Sequence, residues 1–160
     1  MRGGERQAAL HTRSPGATKT LPLERFLAIL GTAICLIVTI LIWRSVSALQ
    51  SMWPLPGLYF IEMAALSAVS ALASIRGGPH GVLITWGAAG IFSAFSFLGA
   101  LSVGFFYLPV AVIFGLLAVL SDVRQKQPIA AHLGLGALAG LAQTVLMFAA
   151  VRLLHPGPVF

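Results

Sequence analysis

Glu62 falls inside a long apolar run of this 160-residue chain, and no other acid is expected inside a span. Burying its charge in hydrocarbon is costly, so such an acid needs a use or a partner. It lies about one turn into its run, where snorkelling and a helix N-terminus both suit a carboxylate. Arg44 and Arg152 close apolar runs on the same side, and one of them is expected within direct or water-bridged reach of Glu62. Gln143 lies near the middle of a later run and shares one helical stripe with Gly136 and Gly140. Small residues four apart let a neighbouring backbone approach, so Gln143 is expected to bond across to another helix. His132, near the end of the same run, has the chemistry to carry protons, or else sits solvated at the interface. Ser67, Ser70 and Ser74 line one face, and their hydroxyls can bond back to helical carbonyls.

Catalytic signatures are missing from the sequence. It contains no Walker motif, no HExxH, no GxSxG, no carboxylates paired at catalytic spacing and no metal-ligand cluster. No catalytic residue, cofactor or metal is expected. The single cysteine, Cys35, excludes an intrachain disulfide and any CxxC site.

The elements that carry these residues follow from composition. Hydrophobic residues make up 58% and charged residues 9% of the chain, against about a quarter charged in a soluble domain. So few charges cannot coat a water-facing surface, and the apolar residues are blocked into membrane-length runs. A net charge of +6 suggests nucleic acid, but five of the ten basic residues (Arg2, Arg6, Arg13, Lys19, Arg25) sit in the N-terminal segment and the others punctuate apolar runs. That distribution sets membrane orientation, and no nucleic-acid partner is expected.

Residues 1–25 are polar and basic with Gly3-Gly4 and Pro15-Gly16, and read as a disordered tail. Five spans are expected at about 26–43, 58–75, 82–100, 104–121 and 130–151, within a membrane domain of 26–155, followed by a short tail at 156–160. The stretch Val82–Leu120 has no formal charge. As one helix it would approach 60 Å, about twice the hydrocarbon thickness, so it must reverse. Gly104 and Pro109 put the reversal near 99–107. With the N-terminus inside, eight basic residues face the cytoplasm and two, Arg44 and Arg152, face out, which predicts a plasma-membrane (inner-membrane) protein with a cytoplasmic N-terminus. Trp43, Trp53, Tyr59 and Tyr107 then form an outer aromatic belt. Ser45-Val46-Ser47 offers small residues for signal cleavage, but the leader and the apolar run are both long for that reading.

An offset of 47 aligns Gly57 with Gly104, Ala64 with Ala111, Ala68 with Gly115, Ala71 with Ala118 and Ser74 with Ser121. The matches lie at helical spacing, which predicts one helix followed by two tandem hairpins; chance alignment of apolar segments is the other reading. Either way Ala111, Gly115, Gly136 and Gly140 are expected to pack helices.

Leu101-Ser-Val-Gly-Phe-Phe-Tyr-Leu-Pro-Val-Ala111 resembles a pattern in small uncharacterised multi-pass bacterial membrane proteins. The resemblance implies repeated helical hairpins and no particular chemistry. Trp53-Pro-Leu-Pro-Gly-Leu-Tyr59 is similar to the first loop of the tryptophan-rich sensory protein family, whose later aromatic and asparagine motifs this chain lacks. The sequence therefore predicts an all-α polytopic bundle in a lipid bilayer. Its expected role is a non-enzymatic accessory or structural subunit, packed on a membrane partner or on copies of itself. The alternative is a small oligomeric transporter or channel using Glu62, with Gln143 and His132 converging on one cavity.

Overall fold

The computed structural model describes residues 21–47, 55–99 and 103–154. Among these the chain forms five helices: α1 (Pro22–Ser47), α2 (Leu55–Arg76), α3 (Pro79–Leu98), α4 (Leu108–Gln125) and α5 (Ile129–Leu154). A 3-10 turn, Gly104–Tyr107, leads into α4. All five are long and apolar enough to cross a bilayer, so the chain is an all-α, multi-pass membrane bundle. The tail expected at residues 1–25 lies outside the described residues as far as residue 20, as does the expected C-terminal tail at 156–160.

Helix α1 starts four residues before its expected boundary. Pro22 stands at the first helical position, where its missing N–H is no loss. Glu24, two residues on, reaches back so that the Leu21 N–H donates to its Oε2 at 3.1 Å, which caps the helix start. Residues 21–25 thus belong to the helix start rather than to a disordered tail. The reversal between α3 and α4 falls where expected. The Gly99 and Gly104 backbones meet there: the Gly104 N–H donates to the Gly99 carbonyl at 2.9 Å. A Cβ on Gly104 would lie 2.5 Å from the Gly99 Cα, so only glycine fits.

Helices α1 to α4 close a ring. Helix α1 packs on α2 and α4, and α3 packs on the same two from the opposite side. Phe92 and Phe114 stack at the ring centre with centroids 5.5 Å apart, and Phe95 meets Tyr107 edge-on at 5.2 Å. With lipid outside, such contacts hold the ring by van der Waals packing rather than by exclusion of water. Tyr107 is fully buried, and its hydroxyl hydrogen-bonds the Thr39 hydroxyl of α1 at 2.8 Å. It is therefore a core residue, not a member of an outer belt. Trp53 of that expected belt lies outside the described residues.

Helix α5 stands outside the ring. It packs along α3, whereas it scarcely touches α4. This separates the two expected hairpins: α2 and α3 pack closely, whereas α4 and α5 meet only slightly, so the second pair does not repeat the packing of the first. The physical cause is the small face of α3. A Cβ on Gly140 would lie 2.8 Å from the Gly90 carbonyl oxygen, and one on Gly136 would lie 3.0 Å from that of Trp86. Helix α5 thus runs along the face of α3 that carries Trp86, Gly90 and Ala94.

Candidate functional site

Two polar connections hold α5, one near its middle and one at its start, and they contain most of the residues with chemistry. Near the middle of α5, Gln143 is buried, and its Nε2 donates to Glu62 Oε2 at 3.1 Å. The expected cross-helix bond of Gln143 thus runs from α5 to α2, over α3. Glu62 itself is half-buried. Arg44 and Arg152 are exposed, and among the described residues neither forms an ion pair with Glu62. Glu62 is expected to have a guanidinium in direct or water-bridged reach; its direct partner here is an amide, that of Gln143. Arg152 lies nine residues beyond Gln143, about 13 Å further along the helix.

At the start of α5 the partner is an acid that reads as a loop residue in the sequence. Asp122 lies in the last turn of α4 and is fully buried. Trp86 Nε1 of α3 donates to its Oδ2 at 2.7 Å. His132 Nδ1 of α5 lies 2.7 Å from its Oδ1, with the imidazole N–H donating. One carboxylate thus joins three helices. His132 has a side chain only 16% exposed, so it is a bound interhelical residue rather than a solvated one. The chain runs on from Leu120 without a breaker until Lys126, whose left-handed backbone (φ 53) ends α4. This is why Asp122 stays helical and inside.

A second buried acid lies at the same end. Glu24 is 2% exposed; Arg124 Nε donates to its Oε1 at 2.8 Å, and Ser121 Oγ lies 3.5 Å from the same oxygen. This pair closes the ring between α1 and α4. Glu62 is therefore not the only acid within the spans, as Glu24 and Asp122 are more deeply buried. Sequence signals for both were present. Trp86 sits well inside an apolar run, where its indole N–H needs an acceptor. Leu21-Pro22-Leu23-Glu24 has the register of a capped helix start.

The serines of α2 behave differently from one another. Ser67 Oγ donates to its own helix at Ala64 O, 2.8 Å, and Ser74 Oγ hydrogen-bonds Thr85 Oγ1 across to α3 at 2.8 Å. Among the described residues, the buried Ser70 Oγ, Ser96 Oγ and Tyr59 hydroxyl meet no hydrogen-bond partner.

A groove of about 560 Å³ opens between α3, α4 and α5, with Ala111 and Gly115 on one wall and Gly136 and Gly140 on the other. Gly136 and Gly140 serve as helix contacts, whereas a Cβ on Gly115 would meet nothing within 4 Å. Glu62, Gln143 and His132 do not line this groove. Glu62 and Gln143 are brought together, while His132 lies eleven residues from Gln143 on α5, about 16 Å along its axis. Among the described residues no group of three or more His, Cys, Asp and Glu is arranged to hold a metal ion. The arrangement ties helices together through carboxyl, amide, imidazole and indole groups. No family model, curated protein or solved structure matches the chain.

Proposed function

We propose that this chain is a non-enzymatic subunit of a membrane assembly, which packs with a partner protein or with copies of itself. The observation that carries this reading is the use made of the polar groups in the spans. Glu62 is bound to Gln143 and His132 to Asp122, so the three residues suited to a transport path act as fastenings between helices. These fastenings sit about 16 Å apart along α5 rather than around one cavity. The neighbouring groove is walled by small residues, the kind of surface that helix backbones approach closely in a bilayer.

The test has two measurements. Light scattering on the protein extracted into native-lipid nanodiscs should give a mass above the 16.8 kDa of one chain. In a deletion strain, Glu62→Gln should restore whatever phenotype the wild-type chain restores. A monomeric mass together with failure of Glu62→Gln to complement would transfer the assignment to a small transporter coupled through that acid.

A further inference from the structure

The rim of the bundle where α2 and α4 end has an unusual division of charge. The chain holds four acids. Glu5 lies outside the described residues, and Glu62 is at the other end of α2. The two acids at this rim, Glu24 and Asp122, turn inward and are 2% and 0% exposed. Arg124, His132 and Trp86 bind them there. The cations turn outward: Arg25, Arg76 and Lys126 are exposed, as is His80. Among the described residues the solvent-facing charge of this rim is therefore of one sign.

The two cationic turns are also held side by side. Gln125 Nε2 donates to the Gly78 carbonyl at 3.5 Å, which places the turn after Arg76 against the end of α4. Gly77 and Gly78 have φ of 75° and 90°, and Lys126 has φ of 53°. Both helices stop abruptly in left-handed residues, so Arg76 and Lys126 leave the bundle from adjoining turns. A surface of one sign at this position lies at the level of lipid headgroups, whichever side of the membrane it faces. Each Lys or Arg there attracts anionic lipid within a Debye length.

We propose that this rim is a binding surface for the headgroups of anionic phospholipids, with Arg76 and Lys126 as its principal contacts and Arg25 and His80 beside them. The inward acids are part of the device. Their burial removes the repulsion that exposed carboxylates would exert on a phosphate.

Native mass spectrometry of the full chain, titrated with phosphatidylglycerol or phosphatidylcholine, tests this. Phosphatidylglycerol should be retained in preference, and the preference should fall as salt rises. The double variant Arg76→Gln/Lys126→Gln should hold phosphatidylglycerol about 30-fold more weakly, at roughly fivefold per cation, with phosphatidylcholine unchanged. Arg44→Gln/Arg152→Gln, at the opposite rim, should bind like the wild type. Equal retention of the two lipids, a preference insensitive to salt, or equal losses in the two double variants would each overturn the proposal. So would displacement of phosphatidylglycerol by an equal concentration of inorganic phosphate, which would make the surface a site for the free ion.

Discussion

Gly90 on α3 and Gly136 on α5 stand backbone against backbone, so that a methyl group on Gly90 would overlap the Gly136 carbonyl. Gly140 crosses the same spot one turn later. Gly90→Ala should therefore push α5 away and lower stability by about 1–3 kcal/mol, the usual cost of overpacking. Gly115→Ala is the control, since its added carbon meets nothing within 4 Å. Thermal unfolding in one detergent should separate the two variants. Equal midpoints would mean that the glycine crossing does not hold α5.

Asp122→Ala should be among the more damaging single changes at the buried end. It leaves two donors, Trp86 Nε1 and His132 Nδ1, without the acceptor they share. Each buried group so orphaned costs about 1–3 kcal/mol. Trp86→Phe removes one donor and leaves His132 bound, so it should cost less. Denaturant or thermal unfolding of the two variants gives the order, and the reverse order would discount the carboxylate as the hub.

The Glu62–Gln143 bond has a smaller expected effect. Hydrogen bonds between membrane helices average about 0.6 kcal/mol and reach about 1.7. Glu62→Ala should lose that amount, whereas Glu62→Gln keeps an oxygen able to accept from Gln143. A double-mutant cycle with Gln143→Ala measures the coupling. A coupling near zero would mean that the bond contributes nothing to docking α5.

Orientation has its own check. Alkaline phosphatase fused after Phe160 should be active and fused at Lys126 inactive, because eight of ten basic residues then face the cytoplasm. The opposite pattern would invert the bundle.

Five spans, their loops and the reversal at Gly99–Gly104 are legible in the sequence because length and charge fix them. The packing order is not. Each helix is apolar nearly all round, so no amphipathic stripe says which face turns inward. Gln143 could be read as an interhelical donor from its place beside Gly136 and Gly140, but its acceptor on α2 could not. Asp122 was obscured because a charge beside Arg124 and Lys126 reads as a span end. In the fold its carboxylate turns inward while Lys126 turns out. Glu62 stands out in the sequence as a lone acid within an apolar run, although Glu24 and Asp122 are the more deeply buried acids.

Because α1 to α4 complete a ring without α5, the order of synthesis has a consequence. Glu24 must wait for Arg124, 100 residues later. Once that pair has formed, α5 emerges to find Asp122 already in place at the start of its berth and Glu62 near the middle. The last helix to arrive is also the one with the fewest neighbours to hold it. Its amides should exchange with deuterium before those of α3 in a native-state time course, and an earlier exchange of α3 would contradict this order.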